Sequence, residues 1–157
     1  MTKRANRFLI MFLVAVFAIV GSANAQEKKI TKADLPAAVQ KTVDAQIQGA
    51  TVRGFSTEIE NGKRIYEAEL TVNGHSKDIS MDKDGNIVEI EEQVSLDSLP
   101  QAVRDGLTHA AGSGTITKVE ALTKNNKLVA YEAAVKNGAK RSEIQVGPDG
   151  KKLVHPE

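Results

Sequence analysis

Cysteine is absent from this chain of 157 residues, and its absence removes disulfides, thiolate nucleophiles and zinc–cysteine sites together. Tryptophan is absent too, and aromatics make up 4% of the sequence, so a core has to be built from Val, Ile, Leu and Ala. Histidine occurs three times, as His75, His109 and His155. None stands in an H-x-x-x-H or H-x-E pattern, and there is no G-x-S-x-G, so metal-assisted hydrolysis and nucleophilic catalysis have no foothold. All three are expected on the solvated surface. A charge excess is also missing: 21 basic residues balance 20 acidic ones, which leaves no electrostatic footprint for nucleic acid. No catalytic residue and no cofactor is expected.

What is present begins with a leader. Lys3, Arg4 and Arg7 precede an apolar run of 14 residues, Phe8 to Gly21. Ser22-Ala23-Asn24-Ala25 then places small residues at the −3 and −1 positions of a cleavage site between Ala25 and Gln26. This is the pattern of a secretory signal peptide, residues 1–25. The run is shorter than the roughly 20 apolar residues that a spanning helix needs. Cleavage leaves 132 residues (26–157), with 18 basic and 20 acidic side chains and a net charge of −2. The expected location is the periplasm or the exterior, with no membrane attachment after cleavage. Without disulfides, such a domain has to hold itself by packing.

Residues 26–157 state one phrase twice. Leu35-Pro36 and Ala38-Val39 recur as Leu99-Pro100 and Ala102-Val103, 64 positions on, and Phe55 falls on Val119 at that offset. One residue slips in near Asn125-Asn126. Tyr66-Glu67-Ala68 then matches Tyr131-Glu132-Ala133, Ile79 matches Ile144, and Asp84-Gly85 matches Asp149-Gly150, all at 65. Ordered matches at nearly one spacing indicate a tandem repeat, with units at 26–94 and 95–157.

Each unit opens as a helix. Asp34 and Ser98 are candidate caps, and the Leu-Pro step puts proline in the first turn. Leu35, Val39, Val43 and Ile47 recur at helical spacing before Gly49. Leu99, Val103 and Leu107 do so before Gly112 and Gly114. A four-strand meander is expected next. "RIYEAELTV" alternates, with Tyr66, Ala68, Leu70 and Val72 inward and Ile65, Glu67, Glu69 and Thr71 outward. "VAYEAAVK" turns Val129, Tyr131, Ala133 and Val135 inward. Period two with one polar face indicates an antiparallel sheet wet on one side. Asn73-Gly74 and Asn137-Gly138 read as hairpin turns. Strands are expected near Thr51–Glu60, Lys77–Met81 and Ile87–Glu91. The fold class is therefore α+β: two tandem helix-plus-four-strand antiparallel repeats, helices on one face of the sheet. One such unit buries little surface alone, which is the reason for duplication.

The leader, the two "LP-x-AV" helices (from Leu35-Pro36 and Leu99-Pro100), the Tyr66 and Tyr131 strands, and the "MDKDGNIV" and "VGPDGKKLV" turns together resemble the PepSY-like family, related in fold to secreted β-lactamase-inhibitor proteins. The resemblance spans nearly all of residues 26–157, and its motifs are structural. It implies a helix-backed antiparallel sheet in each repeat. It also implies binding through an exposed face, with protease inhibition or regulation as the family's proposed role. The disulfides of the inhibitor members have no counterpart here.

Two features could bind something. Asp82, Asp84 and Asn86 occupy positions 1, 3 and 5 of a calcium-loop pattern, but Ile87 stands where the bend glycine belongs and Gln93 where the bidentate glutamate belongs. A plain turn is expected. The wet face is richer. The Asn73-Gly74 turn sets either Glu69 or Glu67 against Asp78, and Asn137-Gly138 would set Glu132 against Glu143. Glu58, Glu89 and Glu91 lie on the same face. Residues 26–94 carry a net −4 and 95–157 a net +2. The expected interaction face thus comprises Glu58, Glu67, Glu69, Asp78, Glu89, Glu91, Glu132 and Glu143. Its expected partner is an envelope protein or basic peptide, engaged as an inhibitor or regulator of an envelope peptidase. The other readings are a solvated face relieved by Lys63, Arg64 and Lys77, and a periplasmic carrier of a small ligand or cation.

Overall fold

A computed structural model describes residues 27–157. The expected leader and its Ala25/Gln26 cleavage point lie outside the described residues. Eight strands form one antiparallel sheet in chain order: β1 (Lys28–Ile30), β2 (Ala50–Glu60), β3 (Lys63–Val72), β4 (His75–Met81), β5 (Ile87–Gln93), β6 (Thr115–Lys124), β7 (Lys127–Asn137) and β8 (Lys140–Val146). Helix α1 (Ala37–Gln46) connects β1 to β2, and α2 (Gln101–Ala111) connects β5 to β6. None of the described helices is long and apolar enough to cross a membrane.

The two halves join without a break. Pairing of β5 with β6 repeats the geometry of β1 with β2: Lys28 faces Thr57, and Glu92 faces Ala121, each 64 positions later. Strand β5 thus ends the first meander and also leads into the second helix. The second half shows three strands rather than the expected four, and Lys152 makes only an isolated bridge to Val146. The segment beyond carries Pro156, which has no N–H for a ladder.

Each helix starts two residues later than the candidate caps Asp34 and Ser98 imply. Pro36 and Pro100 are themselves the N-caps, at φ −55° and −53°, so the helices begin at Ala37 and Gln101. Asp34 instead closes a tight turn with Thr31, whose amide donates to its carboxylate at 2.9 Å, and Ser98 donates to the Ser95 carbonyl. The leucine carbonyl left open before each proline is taken by a side chain. Gln40 Nε2 donates to Leu35 O at 2.8 Å and Arg104 Nη1 to Leu99 O at 2.6 Å.

Each helix lies on one half of the sheet. Leu35, Val39 and Val43 pack with Ala68, Leu70, Ile79 and Met81. Leu99, Val103 and Leu107 pack with Val119, Ala133 and Val146. Tyr66 and Tyr131 flank these two clusters in equivalent places. The Asp-Gly turns tuck beneath the helices. Gly85 and Gly150 have φ of +79° and +80°, and a Cβ would stand 2.6 Å from Ala38 O in the first and 2.1 Å from Ala102 O in the second. Their recurrence therefore reflects close packing. Asp82 Oδ1 accepts from the Asp84 and Asn86 amides, both at 2.9 Å, so the "DKDGN" stretch is a turn held by its own carboxylate.

Candidate functional site

The face away from the helices collects carboxylates because alternation along the strands places them there. Glu58 comes from β2, Glu67 and Glu69 from β3, Asp78 from β4, Glu89 and Glu91 from β5, Glu132 from β7 and Glu143 from β8. Strand register then makes them neighbours. Asn73 and Gly74, at φ +51° and +84°, form a two-residue loop that sets Glu69 opposite Asp78. Asp78 in turn faces Glu91, and Glu89 faces Lys124.

The second hairpin differs from expectation. Its loop is Gly138-Ala139, since Asn137 pairs with Lys140. Only Gly138 takes positive φ, +61°, which suits a turn with glycine at the first central position. The one-residue shift sets Glu132 opposite Gln145 and Glu143 opposite Ala134, so Glu132 and Glu143 are not cross-strand partners.

Sequence reading missed Glu120. It sits on β6 opposite Glu132 and is 8% exposed. The alternation in "TKVEALTK" carries the signal, since it puts Glu120 on one face with Lys118 and Leu122. Carboxylate oxygens of Asp78, Glu91 and Glu120, from three successive strands, lie within 4.8 Å of one another. Ser76 Oγ on β4 also reaches Glu120 Oε1 on β6 at 3.3 Å. Flat strands two apart are separated by about 9.5 Å, so side chains meeting over β5 mark the hollow side of a curved sheet. Register shifts at Val52/Gly54, Ser80/Met81, Ile116/Lys118 and Leu122/Thr123 supply local bends.

The face is therefore not bare to solvent, as alternation alone implied. Glu132 is 6% exposed, and Ser56, Leu122 and Ala130 on the same face are fully buried. Crowding changes the acid chemistry. Burial, then the charges of Asp78 and Glu69, pushes Glu67 up to about 7. Glu91 is pushed up to about 9 by burial, then by Glu120 and Glu89. Burial raises Glu132 to about 7 against the opposing hydrogen bond from Gln145 Nε2 at 2.8 Å. Glu58, Asp78 and Glu143 are also raised, each chiefly by burial; for Asp78, Arg53 and Lys118 pull the other way.

Relief comes from cations other than those expected. Arg53 binds Asp78 through Nη2, at 2.5 Å, and lies 3.7 Å from Glu69 through Nη1. Lys118 reaches Glu120 at 2.5 Å, Lys124 reaches Glu89 at 3.2 Å, and Lys29 lies 3.7 Å from Glu69. Gly54 leaves room for the Glu69 carboxylate, which would stand 3.4 Å from a Cβ there. Lys77 pairs with Glu92 on the helix side, and Arg64 contacts Thr57 Oγ1. Glu91 makes no ion pair among the described residues. The trio Asp78, Glu91 and Glu120 could hold a cation, but two of its members already hold a guanidinium and an ammonium. His75, His109 and His155 are exposed. A depression of about 460 Å³ lies at α1 and the Asp84–Asn86 turn, away from the carboxylates.

The sequence profile of the beta-lactamase-inhibitor-like, PepSY-like family matches residues 22–89 and again residues 64–153. No curated protein matches the chain. Among solved structures, a protein from Bacteroides eggerthii DSM 20697 that is described as periplasmic shares 19% identity over 76% of this chain and 86% of its own, with a TM-score of 0.62. A DUF2874 family protein from Bacteroides ovatus ATCC 8483 shares 20% over 76% and 84%, at a TM-score of 0.59. A BLIP-like protein from Bacteroides fragilis NCTC 9343 shares 21% over 76% and 83%, at 0.56. These likenesses establish the fold, an antiparallel sheet backed by two helices, and the profile match establishes the kinship: this chain belongs to the PepSY-like, beta-lactamase-inhibitor-like family.

Proposed function

We propose that the chain is an exported, non-enzymatic binding protein that takes a basic segment of an envelope protein onto its carboxylate-lined sheet face, as an inhibitor or regulator of an envelope peptidase. Export is supported by the leader pattern and by the periplasmic description of the Bacteroides eggerthii neighbour. The absence of any nucleophile–base pattern in the sequence supports a binding role. The single observation that carries the reading is Glu91. It stands unpaired between Asp78 and Glu120, beside Glu89, on a hollow face whose carboxylates outnumber their cations. Such a group holds a proton at neutral pH and exchanges it for an arriving ammonium or guanidinium. Charge of this kind selects the partner and speeds encounter more than it adds affinity.

A second reading, a cation carrier using Asp78, Glu91 and Glu120, has the 4.8 Å clustering in its favour. It requires displacement of Arg53 and Lys118.

The test is affinity capture from the protein's own envelope fraction with the wild type and with Glu58→Lys/Glu89→Lys, folding being checked by circular dichroism. Proteins captured at low salt are expected to be lost with the variant and in ~0.5 M salt, where screening reaches within a few ångströms. A Lys/Arg-rich peptide is also expected to bind more tightly as pH rises from 6 to 9. An identical set captured by both proteins would end the basic-segment reading. Calcium titration of the Glu91→Gln variant separates the carrier reading, which expects wild-type binding to disappear.

A further inference from the structure

Strand β8 is an edge of the sheet, and its outer side is only partly covered. Val146 is bridged by Lys152, Gln145 O accepts from the Leu153 amide at 3.1 Å, and the Gly147 amide donates to Lys151 O at 2.8 Å. From Lys140 to Ile144 no strand lies alongside among the described residues. In an antiparallel ladder the N–H and C=O of one residue point the same way, and alternate residues point to opposite sides. The Gly138-Ala139 loop makes Asn137–Lys140 the first bonded pair. Lys140, Ser142 and Ile144 therefore turn their backbone groups to β7, whereas Arg141 and Glu143 turn theirs outward. The bonds at Gln145 and Gly147 fit this alternation.

We propose that this edge pairs with the same edge of a second copy, antiparallel about a two-fold axis at Ser142. Arg141 of each copy then lies opposite Glu143 of the other, and their outward N–H and C=O groups bond reciprocally. Both side chains project on the carboxylate-lined face, where opposed unlike charges stabilise a cross-strand pair. The alternative registers that keep the outward groups paired oppose Arg141 with Arg141 or Glu143 with Glu143, so charge selects a single alignment. The Lys152 bridge ends the open edge at Val146 and keeps the pairing from sliding further. On the helix side the edge is open as well, since Lys140 and Ser142, which face that way, are exposed. Charged side chains ordinarily guard an edge against pairing; here the sequence Arg141-Ser142-Glu143 is complementary to itself when reversed. The contact is isologous and closes at two copies. It continues the sheet across the pair and puts both hollow faces on one side. It does not rest on the partner proposed for that face.

Sedimentation equilibrium of the exported chain tests this, with Arg141→Glu, Glu143→Arg and the double exchange, folding being followed by circular dichroism and thermal melting. Each single exchange turns both attractive pairs repulsive and is expected to weaken dimerisation roughly tenfold. The double exchange restores the pairs in reverse and is expected to return the constant to within about threefold of wild type. A wild-type chain that stays monomeric up to about 1 mM overturns the proposal. So does a dimer indifferent to the single exchanges, or one that the double exchange fails to restore.

Discussion

Acidification should stabilise this protein, and the polar face sets the size of the effect. Glu67 and Glu132 titrate in the folded chain at about 7 against an ordinary value of 4.5. Between those values the folded chain binds protons that the unfolded chain has released, so stability falls as pH rises through the window. A tenfold difference in proton affinity between the two states corresponds to about 1.4 kcal/mol, which sets a ceiling of roughly 3 kcal/mol per group. Glu67 is half-buried, and water together with relaxation of the face cuts such contributions by about half. The pair is thus expected to contribute about 3 kcal/mol between pH 5 and pH 8. With a urea dependence of about 1–3 kcal/mol per molar, the pair by itself should lower the unfolding midpoint by about 1–3 M over that range. The lowered carboxylates, Asp34, Asp82 and Asp149, act only near and below their ordinary value of 3.8 and leave this window alone. Urea titrations at pH 5, 6.5 and 8, on the wild type and on Glu67→Gln/Glu132→Gln, measure the effect. Glutamine at 132 retains a carbonyl for the Gln145 amide, so the double variant should lose the pair's share of the slope and keep the share of Glu91, which is pushed up to about 9 and stays protonated in the folded chain across this window. A midpoint that rises with pH, or a double variant with the wild-type slope, would show that these two carboxyls do not hold protons in the folded chain.

Two further outcomes follow from the packing. Gly150→Ala should destabilise by about 2–4 kcal/mol in thermal or urea unfolding, because the new Cβ meets Ala102 O at a left-handed φ. Gly49→Ala, at a similar φ with open space around it, should cost only about 1–2 kcal/mol. Leu70→Ala and Leu107→Ala, each removing a fully buried side chain, should each cost about 2–5 kcal/mol. Because one sheet joins both cores, both variants should still melt in a single transition by calorimetry.

Much of the fold was legible from local pattern. Val39 and Val43 repeat at helical spacing because one stripe of α1 is covered, and that stripe packs on Leu70 and Ile79 together with Leu35, which precedes the helix. Asn73-Gly74 identified a turn because positive φ at two successive positions favours those residues. Asn137-Gly138 misled by one position, since a turn that needs only one positive φ can seat its glycine first, and that choice moved Glu132 from Glu143 to Gln145. The counter-charges were misjudged for a related reason. Lys63, Arg64 and Lys77 are near the face in sequence, whereas Arg53 reaches Asp78 and Lys124 reaches Glu89 across strands.

The leader pattern, the doubled unit, the α+β class and the segregation of carboxylates to one side could all be read along the chain, because each depends on periodicities of two, of 3.6, or of about 64 residues. The folded arrangement was needed to show that the halves share one sheet through β5 and β6, that the polar side is hollow, and which carboxylates crowd together. Curvature and register are properties of many strands at once, and no local pattern encodes the distance between Asp78, Glu91 and Glu120.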